Sequence, residues 1–180
     1  DLEKVKQIIK WCNHFDIEPM FSIISENAYE IFKNTDLKKI KIASRSLKFD
    51  FNLVKKIVED NKDKKIFMSL GMWEQENLPF DNKNIDYLFC ISKYPTFSED
   101  LKNFPKHFSD KKFVGYSDHT IGIDTCLIAI SRGAKIIEKH FSLDKSNTTI
   151  RDHALSATPE EFRNMVNLGR EIYKKVSLGI

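Results

Sequence analysis

The chain of 180 residues is 41% hydrophobic and 31% charged, with a formal net charge of +3 carried by scattered lysines, enough for one domain with its own core. Its apolar runs are only a few residues long, which excludes a helical membrane span, and no secretory signal pattern opens it. The charge is too weak and diffuse to mark a nucleic-acid surface, although it is compatible with a small anionic substrate.

DLEKVKQIIKWCNHF places Leu2, Val5, Ile8, Ile9 and Cys12 at helical spacing, so the chain starts at Asp1, not Met, inside a helix, as a piece of something longer would. EPMFSI (18–23) and IKIA (40–43) then read as strands. Leu53, Val54, Ile57 and Val58 give a helix after Asp50, and KIFMSL (65–70) a third strand. MWEQENLPFDNKN, between Gly71 and Asp86, is short, polar and holds Pro79, a poor helix. DYLFCI (86–91) and FVGY (113–116) are the next strands. IDTCLIAISRGA reads as an apolar helix with Gly133 as its C-cap, and KIIEKHF (135–141) is the sixth strand. The last helix starts with Thr158 as N-cap, Pro159 in its first position and Glu161 three residues on. Cys12, Cys90 and Cys126 show no CxxC spacing, which predicts reduced thiols in a cytoplasm.

Strand starts lie 21 to 27 residues apart, mostly with helices between, and continuous apolar strands in that rhythm form a parallel sheet. Two α/β architectures fit: a doubly wound sheet and a parallel (β/α)8 TIM barrel. No GxGxxG opens a helix after a strand, which counts against a dinucleotide fold. A barrel usually takes about 250 residues, so six strands imply a partial one.

In parallel α/β folds chemistry sits where strands finish. The strand ends carry Ser22; Lys41 followed by Ser44, Arg45 and Ser46; Ser69; Ser92 and Tyr94; Ser117, Asp118 and His119; then Glu138, Lys139 and His140. A lone histidine is more often a satisfied or exposed residue than a ligand, but His119 and His140 end adjacent strands, and two converging imidazoles can hold a divalent metal. His14 and His107 read as surface. Lys41, between Ile40 and Ile42, either points into a polar interior toward an anion or faces solvent at an edge. Hydroxyls with a lysine form the kind of set that cradles phosphate or carboxylate. No GxSxG elbow supports serine-nucleophile catalysis.

GYSDHTIG followed by GAKIIEKHFSLDK, then Asp152–His153 and the Ser-x-x-Pro-Glu-Glu helix start, resembles the sialic acid synthase family, the phosphoenolpyruvate-condensing synthases of nonulosonic acids. KIASRSL, FMSLGM and CISKYPT resemble further segments of that family, and the likeness runs from about residue 17 to 175. It implies a TIM barrel, of which this chain holds about six β/α units as one partial domain. The first two units and a C-terminal antifreeze-like domain are expected to lie outside this sequence, so the piece alone is expected to be inactive. It implies condensation of phosphoenolpyruvate with an N-acylated amino-hexose such as N-acetylmannosamine, in a domain-swapped homodimer, with phosphate released. A divalent metal, Mn2+ or Mg2+, falls to His119 and His140. Phosphoenolpyruvate falls to Lys41, Ser22, Ser44, Ser69 and Ser117, with Ser92 standing at an asparagine position of the same set. Tyr94 and Asp152 face the sugar. Catalysis is assigned to His119, His140 and Lys41.

Several positions depart from the family. Arg45 stands where glycine is usual and Ser46 where an acidic residue is common. The loop usually reading Pro-Gly-Pro-Asp is Thr149-Ile150-Arg151-Asp152, one residue longer. Read as rim changes, they put Arg45 in the sugar site and favour a modified acylamino-sugar over N-acetylmannosamine. Two rivals stand beside this reading: another metal-dependent TIM-barrel aldolase or lyase, and a non-catalytic fragment acting as a binding module.

Overall fold

Polar residues between the apolar runs act as caps. In the computed structural model, which describes residues 1–109, 112–147 and 149–180, Asp1, Ser25, Asp50 and Thr158 each accept a hydrogen bond from a first-turn amide of the helix that follows. These caps satisfy donors that a helix start leaves without partners. They begin α1 (Leu2–His14), α2 (Glu26–Lys33), α4 (Phe51–Asp60) and α6 (Pro159–Ser177), while α3 (Ser44–Phe49) and α5 (Asp124–Ser131) have no side-chain cap bond. Thr158 and Glu161 form the expected capping box, with Pro159 in the first turn.

The strands are β1 (Phe21–Ser22), β2 (Lys39–Ile42), β3 (Lys65–Ser69), β4 (Ile85–Cys90), β5 (Gly115–Asp118) and β6 (Ile136–Lys139). They coincide with the six apolar runs to within three residues. The shift at β5 matters, because it brings Ser117 and Asp118 inside the strand. The sequence patterns single out neither α2 nor α3, which at 8 and 6 residues are too short for a 3.6-residue period to stand out. Among the described residues, 72–84 hold no helix, as Pro79 and the polar composition predict.

By contact density the chain divides into two compact units, residues 1–68 with 72–86 and residues 69–71 with 87–180. In the first, β1 pairs with β2 and β2 with β3, all parallel, with Ser22 opposite Lys41 and Ile42 opposite Met68. Ile40, Ile42, Ile66 and Met68 are fully buried, together with Val54 and Ile57 of α4. Tyr29 of α2 donates to Asp60 (2.9 Å) and accepts from Asn61 (2.9 Å), and burial pushes its phenol up to about 12.

In the second unit β4 pairs with β5 and β5 with β6, again parallel. Phe108, Tyr116, Ala129 and Ala134 form its core, with Phe89, Phe104, Phe113 and Ile137 packed against them. Edge-to-face contacts such as Phe104–Tyr116, at 5.0 Å between centroids, knit this aromatic cluster. Gly133, at φ +95, follows the C-cap of α5, as expected.

In both units strands sit in chain order, whereas a doubly wound sheet reverses its order at a switch point. The fold class is therefore α/β, with six parallel strands of the (β/α)8 barrel type. Among the described residues no helix is long and apolar enough to cross a membrane.

A Cβ on Gly115 would lie 2.2 Å from the Ile136 carbonyl oxygen of the neighbouring strand. Gly115→Ala is expected to lower unfolding stability in urea by about 2 kcal/mol or more, because backbone cannot yield as a side chain can. Gly133→Ala, strained by its positive φ and by a Cβ 3.2 Å from the Phe108 carbonyl oxygen, should cost about 1 kcal/mol or more.

Candidate active site

Alternation along β5 and β6 sorts their side chains onto two faces. On one face Tyr116 packs into the aromatic cluster, and its hydroxyl donates to Asp118 Oδ1 at 2.7 Å. Asp118 Oδ1 also accepts from the Thr120 amide (2.9 Å) and hydroxyl (2.8 Å). Its Oδ2 accepts from Lys139 Nζ at 2.5 Å and from Cys126 Sγ at 3.3 Å. Lys139 donates as well to the Thr120 carbonyl, and neither side chain of the Asp118–Lys139 pair reaches solvent. Burial and the Asp118 charge together push the Tyr116 phenol and the Cys126 thiol well up, so both stay protonated. Asp118 is thus committed to a structural ion pair and orients neither imidazole.

The opposite face carries the polar set. Ser117 Oγ donates to Glu138 Oε1 at 3.1 Å across the strand pair. His119 follows Asp118, is 5% exposed, and places Nδ1 2.7 Å from the Ile91 carbonyl oxygen. A carbonyl can only accept, so Nδ1 carries the proton and the Nε2 lone pair is left over. Burial holds the His119 imidazole below the ordinary histidine range; the Ile91 bond opposes this and nearby His140 adds to it.

The His119 and His140 ring centroids lie 5.3 Å apart. Tyr94 lies against both, at 4.1 Å from His119 and 5.9 Å from His140, and burial raises its phenol to about 12. His140 is anchored through its carbonyl, which accepts from the Ala157 amide at 2.7 Å. Its Nδ1 is 3.9 Å from Asp152 Oδ2. Cys90, which is buried, has Sγ 3.8 Å from His119 Nδ1.

This donor set fits a divalent ion. Two imidazoles with ~2.1 Å metal–nitrogen bonds can span such a separation, and His119 has the fixed tautomer that a ligand needs. Among the described residues no group of three or more His, Cys, Asp and Glu forms a closed metal cage.

Of the other expected residues in this unit, Ser69 is buried at the end of β3, and Ser92 is half-buried with Oγ 3.9 Å from Cys90 Sγ. In the first unit, Lys41 is 5% exposed and donates to the Ile42 carbonyl at 2.9 Å, which rules out the solvent-facing alternative. Ser22 beside it is exposed, and Ser44 is buried in the first turn of α3. Arg45 is exposed, with its guanidinium over the Phe49 ring at 5.4 Å.

Ser46 corrects the sequence reading of it as a rim residue. It is buried, and its hydroxyl donates to the Ile23 carbonyl at 3.4 Å. It faces the packed side of α3, where an unpaired acid would be costly. His14 and His107 are exposed, as expected. Arg151, noted in the sequence only as part of a departing loop, has its guanidinium over Tyr94 at 4.8 Å, a contact that the motifs missed.

The NeuB family model matches residues 1–179. The chain is 35% identical over 196 residues to N,N'-diacetyllegionaminic acid synthase of Campylobacter jejuni, covering 100% of this chain and 57% of the relative. It is 33% identical over 176 residues to a pseudaminic acid synthase of the same species, covering 92% and 50%. An uncharacterized protein of Methanocaldococcus jannaschii is 39% identical over 163 residues, covering 83% and 47%. The chain thus spans about half the length of the curated relatives it matches. A crystal structure of N-acetylneuraminic acid synthetase from Leptospira borgpetersenii, in complex with citrate, superposes with TM-score 0.82 over 98% of this chain and 64% of that one. At 22% identity it shows a shared fold.

Asp118→Asn leaves Lys139 charged, buried and without its counter-ion, and should cost about 3–5 kcal/mol in urea unfolding. Adding Lys139→Met should recover more than half of that loss. In metal-free protein the His119 imidazole should titrate by NMR below about 6.5. Because the unfolded chain takes the proton first as pH falls, the His119 contribution to stability is full above about 6.5. It is lost as pH drops from there through the folded value.

Proposed function

The chain belongs to the NeuB family, and on that premise we propose that the protein condenses phosphoenolpyruvate with the open-chain aldehyde of an N-acylated amino-hexose, giving a nonulosonic acid and phosphate. The observation that carries this reading is the pairing of His119 with His140 around Tyr94. The names of the relatives support it: two make legionaminic and pseudaminic acids. In the reaction the enol carbon of phosphoenolpyruvate bonds to the aldehyde carbon, water adds at the carbon bearing the phosphate, and the C–O bond to phosphate breaks.

His119 and His140 would hold Mn2+ or Mg2+, whose contribution is Lewis acidity at the aldehyde oxygen. The depressed pKa of His119 keeps it neutral, as a ligand must be. Tyr94, with its phenol at about 12, serves as a hydrogen-bond donor and not as a base. Asp152 accepts from a sugar hydroxyl, and Arg45 is a second sugar-side candidate. Lys41 offers a point charge to phosphate or carboxylate, and Ser22, Ser44, Ser69, Ser92 and Ser117 offer hydroxyl donors. The reading extends to a cytoplasmic homodimer acting on a diacetamido-hexose in preference to N-acetylmannosamine.

Phosphate release by the full-length protein should require phosphoenolpyruvate, an amino-sugar and a divalent ion together. His119→Ala should lower kcat/KM by at least about 100-fold. Release that proceeds equally well without the amino-sugar would rule this reaction out.

A further inference from the structure

The segment Arg151–His153 is a short 3-10 turn that carries Asp152 to within 3.9 Å of His140 Nδ1. Arg151, at its start, does not simply extend into water. Its guanidinium carbon sits 4.8 Å from the centre of the Tyr94 ring, and Tyr94 in turn lies 4.1 Å from the ring of His119. Arginine, tyrosine and histidine thus lie one against the next, ending on the imidazole pair. Nε donates to Asp152 Oδ1 at 3.3 Å, and among the described residues this is the only hydrogen-bond partner of the guanidinium. A ring face and a carboxylate together hold the planar group in one orientation. Its side chain nevertheless remains 69% exposed, so the four Nη–H donors of the fork remain open to a ligand.

We infer that Arg151 is a specificity-determining residue that donates to an acylamido oxygen on the amino-sugar; the inference rests on the function proposed above. The chemistry selects the acceptor. Arg151 is already paired with the Asp152 carboxylate, so the two are together close to neutral and give little reason to recruit a second anion. A neutral carbonyl oxygen takes N–H donors without demanding charge. The guanidinium lies over the ring of Tyr94, which itself lies against both imidazoles, so its donors sit beside a substrate held at that pair.

Arg151→Ala and Arg151→Lys in the full-length protein test this, with folding checked by circular dichroism. Steady-state kinetics would be run with N-acetylmannosamine and with a diacetamido-hexose. The expected result for Arg151→Ala is a KM for the diacetamido-hexose raised about tenfold or more, the size of a lost charge-assisted hydrogen bond. KM for phosphoenolpyruvate should stay within about twofold, a split that a general structural defect would not produce. Arg151→Lys should recover only part of the loss, because an ammonium lacks the planar fork. Unchanged KM for both sugars in Arg151→Ala would overturn the inference while leaving the proposed reaction intact. Failure of the wild-type protein to condense any amino-sugar would overturn both.

Discussion

The buried ion pair between Asp118 and Lys139 is the constraint on which the polar face of β5 and β6 depends. A carboxylate and an ammonium removed from water are tolerated only when each finds several partners. Here Tyr116, Thr120 and Cys126 complete the carboxylate, and the Thr120 carbonyl completes the ammonium. These bonds form in one register of β5 against β6, the one that sets Asp118 opposite Lys139. A slip of one residue would exchange the two faces. With the pair locked on the helix-packed side, Ser117 and Glu138 are forced to the other side, and His119 and His140 leave their strands toward each other. The close approach at Gly115, where only a hydrogen fits against Ile136, enforces the same spacing.

Much of this was legible in the sequence because it rests on periodicity and punctuation. The six strands stand out as short apolar runs, and α6 is announced by Thr158, Pro159 and Glu161. The convergence of His119 and His140 follows from their places at the ends of successive strands. The burial of Lys41 could not be decided from Ile40 and Ile42 alone, since alternation says that a residue faces away from its neighbours but not what lies there. From its place beside His119 alone, Asp118 could be a partner of the imidazoles or a structural ion. Which holds depends on Lys139, and such long-range pairing leaves no local mark. Ser46 was misread for a related reason: without α3 in view, its position after β2 looked like rim, whereas one helical turn carries it back against Ile23. The contact of Arg151 with Tyr94 escaped notice because stacking joins residues far apart in sequence.

Within the second unit, the chemistry reduces to a contrast between two faces of one strand pair. On one face Asp118 and Lys139 are satisfied internally, with the Tyr116 phenol and the Cys126 thiol both held protonated. The other leaves one nitrogen of His119 available after the Ile91 bond and presents Tyr94 as a donor. Stability and reactivity are separated by a single residue of register, so Ser117, Asp118 and His119 can be neighbours in sequence yet serve different ends.

In the function proposed, His119 and His140 would share one divalent ion. Electron spin echo envelope modulation of the protein with one equivalent of Mn2+ tests it most directly, because it detects nitrogen bonded to manganese. The account predicts modulation from two imidazole nitrogens in the wild type, and from one in either His119→Ala or His140→Ala. Stoichiometric Mn2+ binding with no nitrogen modulation would contradict it.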